Sequence, residues 1–217
     1  MDKPSRILCS VARLGVFVPG MYVKNGAVIT SRGCPNQCWF CSVWKREGNE
    51  IRELPITDGW NVLDDNLLRC SKQHVLNVFE MLHRQREQAH FTGGLEAAAL
   101  QDWHIDLLVK LNPKQMFFAY DTPGNLEPLQ DAGKRLTDAG FTFASRKLRT
   151  FCLIGYNNDT IERAEQRLWD CVDAGFIPMA MLYRDDKNEP TREWRQFARV
   201  WSRPAIIAAK IKQRKDY

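Results

Sequence analysis

"RLTDAGF" at residues 135–141 is echoed by "DAGF" at 173–176, with 35 residues between Asp138 and Asp173. In each copy a glycine closes a helix-like segment and a phenylalanine follows it. Glycine suits the left-handed residue that ends a helix, and the phenylalanine can pack back on the last turn. A repeat of helix, glycine and strand at this spacing is the signature of βα units in a parallel sheet.

Working outward, strand-like runs stand at 27–31 (AVITS), 60–63, 90–92 leading into Gly93-Gly94, 116–120 (MFFAY), 148–154 (LRTFCLI) and 177–183 (IPMAMLY). Helical patterns lie between them. Residues 72–88 carry Val75, Phe79 and Leu82 on one face, and 102–111 ends at Asn112-Pro113. A third pattern carries Leu126, Leu129 and Leu136, and a fourth, 161–174, is capped by Thr160 with Ile161, Ala164, Leu168 and Cys171 as its stripe. Six βα units fit between residues 27 and 185. A closed eight-unit barrel takes about 250 residues, and the chain has 217. The predicted fold is therefore α/β: a single-domain, open, partial (βα)6 TIM-like barrel. Residues 1–26 are an N-terminal extension, 27–185 the core, and 186–217 a basic, aromatic C-terminal helix and tail packing on it. Chemistry is expected at the carboxyl ends of the strands: the loop after 27–31, then 64–66, 93–96, Asp121, 155–158 and 184–186.

The composition is 44% hydrophobic and 26% charged, ordinary for a soluble domain. No apolar run approaches the roughly 20 residues of a membrane span, and Arg13 interrupts the one apolar stretch near the start, a poor secretory signal. A cytoplasmic location is expected, where thiols stay reduced. Seven cysteines then point to metal or redox chemistry, or to buried packing, rather than disulfides. Of the 31 Lys/Arg and 26 Asp/Glu, ten and five lie from Arg184 onward, so the remainder carries 21 of each. The excess positive charge thus belongs to the C-terminal segment, which suits an acidic partner or a solvated face.

Three cysteines, Cys34, Cys38 and Cys41, share "SRGCPNQCWFCSVWKREG" at 31–48. Thiolates are the usual ligands of iron–sulfur clusters. Three on one loop can hold three irons of a 4Fe–4S cube and leave the fourth open to a small chelating molecule. Gly33 and Pro35 shape the loop, and Arg32, Lys45 and Arg46 can offset its negative charge. The other metal reading is a zinc site completed by Cys70 or His74, although structural zinc loops more often use two C-x₂-C pairs, and no second pair is present.

"GCPNQCWFC" following a first strand resembles the radical S-adenosylmethionine superfamily, whose motif is C-x₃-C-x-aromatic-C with Phe40 as the aromatic. "TSRGCPNQCWFC" and "DDNLL" resemble in particular its methylthiotransferase and cobalamin-dependent branch, and "CLIGYNNDT" at 152–160 is similar to its fifth-strand motif. The likeness spans about residues 27–185, the cysteine motif being its most specific part. Asp64-Asp65-Asn66 stands where that superfamily commonly has GGE, and Asn157-Asn158-Asp159 lacks the usual Pro and Glu. The first 26 residues are too few for a cobalamin domain, and no second cysteine cluster is evident, which speaks against a standard methylthiotransferase.

The resemblance implies a 4Fe–4S cluster on Cys34, Cys38 and Cys41 and S-adenosylmethionine on its open iron. It implies reductive cleavage to a 5′-deoxyadenosyl radical that takes hydrogen from a substrate. It also implies a one-electron donor of flavodoxin or ferredoxin type. Asp65 and Asn66 would meet the methionine amino group, Asp121 the ribose, and Gly155 with Tyr156 the adenine side. Phe40, Glu96 and Tyr183 would line the cosubstrate, and Arg149 would pair with its carboxylate, since guanidinium matches carboxylate bidentately. The plainer structural readings are a helix N-cap for Asp65 and Asn66, a turn with Thr122-Pro123-Gly124 for Asp121, a cap on 97–100 for Glu96, a strand-to-loop turn for Gly155 and Tyr156, and a surface charge beside Arg146 and Lys147 for Arg149. Tyr183, Arg184 and Asp185 are also candidates for substrate contact. The basic C-terminus points first to a nucleic-acid base or nucleotide as substrate, and a small metabolite or peptide is the other substrate class open to such a chain. A non-catalytic iron–sulfur or zinc protein, such as an electron carrier or assembly partner, is the alternative of another class.

Among the other residues, Cys152 and Cys171 read as buried packing, Cys70 as a thiol near the 64–66 loop, and His83 and His90 as solvated. Trp194, Phe197 and Trp201 form a stripe that packs on the core. Arg192, Arg195 and Arg199 lie on roughly the opposite face and read first as solvated; the sharper reading makes Arg195, Arg199 and the 210–215 tail phosphate contacts.

Overall fold

The computed structural model describes residues 24–184 and 189–215. Nearly all of the expected N-terminal extension, with Cys9, lies outside these, as does Asp185.

A six-stranded sheet forms the centre. Its strands are β1 (Ala27–Val28), β4 (Asn61–Val62), β5 (His90–Leu95), β6 (Gln115–Tyr120), β7 (Leu148–Ile154) and β8 (Ile177–Leu182). They lie side by side in that order, and every pairing is parallel. Two short strands, β2 (Ser31–Arg32) and β3 (Arg52–Glu53), pair antiparallel in a separate ribbon. The α/β class and six parallel strands are thus as predicted, except at AVITS. There only Ala27–Val28 joins the large sheet, and Ser31 turns away into the ribbon with Glu53. The break at Thr30 has a polar cause, described below.

The helices that connect and follow these strands are α1 (Val43–Arg46), α2 (Lys72–His83), α3 (Asp102–Leu111), α4 (Leu126–Asp138), α5 (Ile161–Asp173), α6 (Arg192–Val200) and α7 (Pro204–Lys215). The repeated DAGF ends behave alike. The Phe141 N–H donates to Leu136 O at 3.0 Å and the Gly140 N–H to Thr137 O at 2.9 Å; Phe176 and Gly175 donate to Cys171 O and Val172 O, both at 2.9 Å. With Gly140 at φ +100° and Gly175 at φ +90°, both are Schellman ends. Phe141 and Phe176 are buried, and Phe176 meets Phe118 edge-on at 5.3 Å.

Strand alternation divides the sheet's two faces. Met116, Phe118 and Tyr120 of β6, with Leu148, Cys152 and Ile154 of β7, join the main core under the helices. Phe117, Ala119, Phe151 and Leu153 point the other way; Phe117 and Phe151 stack at 4.5 Å, and beyond them, at the strands' carboxyl ends, that face opens into a cavity.

The C-terminal segment forms two helices. Ala198, Trp201 and Ile207 are buried, with Trp194 and Phe197 packed against the core, as the aromatic stripe predicts. Lys210 pairs with Glu165 at 2.9 Å, and Arg214 grips Asp173 through two bonds of 2.9 and 3.1 Å while lying over Trp169. These two tail cations, candidates for phosphate contact, are engaged with α5. Among the described residues, no helix is long and apolar enough to cross a membrane.

Candidate functional site

The cysteine loop leaves the sheet between β1 and β4 and is held by the loop after β4. Asp64, buried, accepts from Thr30 N at 2.6 Å, from Thr30 Oγ1 at 2.5 Å and from Ser31 Oγ at 2.8 Å. These bonds take Thr30 and Ser31 out of the strand ladder and explain why AVITS breaks. His74 Nε2 meets Thr30 Oγ1 at 3.1 Å from behind. Asp65 accepts from Gly33 N at 3.0 Å and from Arg32 Nη1 at 3.1 Å. Gly33 is at φ +89°, and a Cβ there would stand 2.0 Å from Glu50 O, so only glycine lets the loop turn this closely.

Further along the loop, Trp44 Nε1 donates to Cys38 O at 2.9 Å, and Cys41 N donates to the same carbonyl at 3.1 Å. Val43 N donates to Cys41 Sγ at 3.4 Å, and Asn66 Nδ2 to Cys34 Sγ at 3.4 Å. Such donors favour sulfur in its anionic form. Burial raises the pKa of Cys38 and Cys41; negative charge on the neighbouring cysteine sulfurs and on Asp121 raises both further, Asp65 adds to this at Cys41, and the Val43 N–H bond opposes it there. The three cysteines and Asp121 therefore share one electrostatic neighbourhood.

All three cysteines line a cavity of about 510 Å³, together with Phe40, Asp65, Asn66, Glu96 and Asp121. Such a volume suits a drug-sized ligand. Gly93 also lines it; a Cβ there would stand 2.3 Å from Asp64 O, so the end of β5 packs tightly on the 64–66 loop. Glu96 is fixed by Arg69 through Nη2 at 2.6 Å and Nε at 3.0 Å, and by Asn66 Nδ2 at 2.6 Å. Burial alone would raise its pKa, but the Arg69 and Asn66 bonds hold it below the usual value. Among the described residues no cation pairs with Asp121, and burial pushes it up to about 6 despite a bond from Leu153 N–H. Asn66 Oδ1 is buried and has no partner among the described residues, an acceptor left for a ligand or water.

Four expected residues, Arg149, Gly155, Tyr156 and Tyr183, do not line this cavity. Arg149 is at the amino end of β7, paired in register with Phe117 and Ile177, and its guanidinium lies 5.6 Å over the Phe117 ring. It shares the inward face, but the Phe117–Phe151 stack lies between it and the cavity's strand ends, so the structure does not bring it to the cysteines. Gly155 lies against Leu182 and Trp194, at φ +72°. Tyr183 and Tyr156 meet the exposed Trp39 ring at 5.4 and 5.6 Å, and these three form an aromatic rim outside the cavity lining, joined edge-on through Trp39 to Phe40, which lines it.

Several residues that hold the site carried no clear sequence signal. Asp64, Thr30 and Arg69 act through partners far apart in the chain. Arg167, on the apolar stripe of α5, is buried and bonds Asp159 at 2.6 and 3.1 Å, while Asp159 Oδ2 accepts from Gly155 N at 2.8 Å. Asp159 thus ties down the 155–159 loop. Cys152 and Cys171 are buried, as expected, but His90 is half-buried on β5 rather than solvated. Cys70, its thiol pushed up to about 11 by burial, and His74, engaged with Thr30, do not line the cavity.

Among the described residues, no three His, Cys, Asp or Glu side chains converge tightly enough to hold a single metal ion. No protein-family model matches the chain, and the search of curated proteins finds no match.

Proposed function

We propose that the chain is a radical S-adenosylmethionine enzyme on an open, partial (βα)6 barrel. The observation that carries this is the common cavity: Cys34, Cys38 and Cys41 face Asp65, Asn66 and Asp121 at the carboxyl ends of parallel strands. The strand order supports the barrel. It follows the chain from β1 through β4 to β8 without reversing, whereas a doubly wound sheet reverses at a switch point. Parallel crossovers are almost always right-handed, so an unreversed order puts the connecting helices on one face and leaves the other to curl around a site.

The donor set fits a 4Fe–4S cluster. Thiolates of such a cluster bind separate irons and need not converge on one point, in keeping with the spread of these three. Neither Cys70 nor His74 reaches the cavity to complete a zinc tetrahedron. When bound and reduced, the cluster supplies the electron that cleaves S-adenosylmethionine to methionine and a 5′-deoxyadenosyl radical. The chain's own residues do the holding. Cys34, Cys38 and Cys41 provide the three thiolates, with N–H donors from Asn66 and Val43 on two of the sulfurs. Asn66 offers its unpartnered Oδ1 to the methionine amino group, and Asp121 offers its carboxylate to the ribose. Arg69 fixes Glu96 as a wall. Phe40 and the Trp39 rim restrict water at the mouth, as a reactive radical requires.

Anaerobic reconstitution tests this. About four irons and four sulfides per chain, with 5′-deoxyadenosine formed under strong reductant, is the expected result. A cluster that neither binds nor cleaves S-adenosylmethionine would make the chain an electron carrier, and zinc without iron would overturn both.

A further inference from the structure

Past Met181 the cavity adjoins a second hollow of about 540 Å³, and Met181 lines both. Its walls are the end of β8 and one face of α6, with Ala198 and Ser202 behind three arginines, Arg184, Arg195 and Arg199. Arg195 and Arg199 are one helical turn apart and point the same way. They do not lie on a face remote from the core, as the sequence pattern suggested, but beside the mouth of the cysteine cavity. Arg195 also meets Glu189 at 3.7 Å, with the two side chains 54% and 94% exposed, a pair too solvated to hold it. Arg192, on the same helix, does not line the hollow. The neighbouring Tyr183 ring borders Trp39, which is 52% exposed.

We propose that this groove seats the phosphate of the substrate, a phosphorylated nucleoside, free or as one unit of a single strand. Arg184, Arg195 and Arg199 hold the phosphate, because planar guanidinium groups match its oxygens bidentately. The nucleoside then spans Met181 toward the cysteines. The aromatic edge of Trp39 and Tyr183 offers a stacking surface for a base. Only the direction in which the ligand points rests on reading the cysteine cavity as the reaction centre; phosphate binding is measurable without it.

The test is fluorescence anisotropy on the full chain with two probes: a labelled nucleoside monophosphate and a labelled single-stranded oligonucleotide of mixed sequence. At least one binds, and Arg199→Gln weakens it at least about fivefold, with Arg195→Gln adding to the loss. Arg192→Gln, which removes the same charge outside the groove, changes affinity less than about twofold. For the oligonucleotide, each lost phosphate contact lowers the log–log salt slope by about 0.7. Binding of the monophosphate assigns a free nucleotide, and binding of the oligonucleotide alone assigns a strand. If neither probe binds, or if Arg192→Gln weakens binding as much as Arg199→Gln, the proposal is overturned. Iron, sulfide and 5′-deoxyadenosine measured on the same variants report on the cluster reading separately. Tight, Arg199-dependent binding by a protein that forms no cluster would sink that reading and keep the groove.

Discussion

The two sides of the sheet are built differently. From β6 to β8 the strands run six or seven residues, and their helix-facing side chains fill the apolar core. On the cysteine side, β1 and β4 have two residues each. There the chain is held by side-chain bonds instead, with Asp64 on Thr30 and Ser31, Asp65 on Arg32 and Gly33, and Asn66 on Cys34 and Glu96. A ladder fixes a strand through its backbone whatever its side chains are. A carboxylate clamp can hold an irregular loop in one shape, as the proposed cluster would need, but a single substitution can undo it.

Substitutions on each side separate the two modes. Phe118→Ala empties a fully buried position in the ladder half. It is expected to cost about 3–5 kcal/mol in urea unfolding, while iron per folded chain after reconstitution stays at the parent level. Asp64→Ala strands buried Thr30 and Ser31 donors, at about 1–3 kcal/mol for each left unsatisfied. Its distinguishing outcome is at the metal: reconstituted iron should fall by more than half even where the variant is folded. Equal iron in both variants would show that the clamp does not shape the cysteine loop.

Asp121 adds a pH test. Its folded-state pKa of about 6 lies above its usual 3.8, so the folded chain holds that proton more tightly than the unfolded one. Stability therefore falls as pH rises from about 4 to about 6, by about 2–3 kcal/mol at 1.4 kcal/mol per unit. His104 works oppositely. Burial lowers it from 6.5 to about 4, so its contribution is lost as pH falls through that window. Comparing Asp121→Asn with the parent cancels the histidine. The variant should match the parent below pH 4 and exceed it by about 2–3 kcal/mol above pH 6; a constant difference across pH would refute the assignment. At the small end, Arg214→Gln, which breaks a half-exposed pair with Asp173, should change stability by less than about 1 kcal/mol.

The repeated glycine–phenylalanine ends made the ladder half legible in sequence, because a Schellman end is local chemistry. The cysteine loop was legible for the same reason. The clamp was not, since Asp64 reaches Thr30 and Ser31 only once β4 lies beside β1. The charge of Arg149 alone does not place it at the site. It begins β7, and in a parallel sheet the amino end is the wrong end for the site. Arg167 interrupts the apolar stripe of α5, and Asp159, eight residues earlier, makes it a buried brace that no local pattern announces.

The most direct test of the account is electron paramagnetic resonance on the anaerobically reconstituted, reduced protein, recorded with and without S-adenosylmethionine. An iron left open by three cysteines should take the cosubstrate as ligand, so the cluster signal should shift on its addition and the shift should disappear in Cys38→Ala. A cluster signal that S-adenosylmethionine leaves unchanged, or no cluster signal at all, would contradict it.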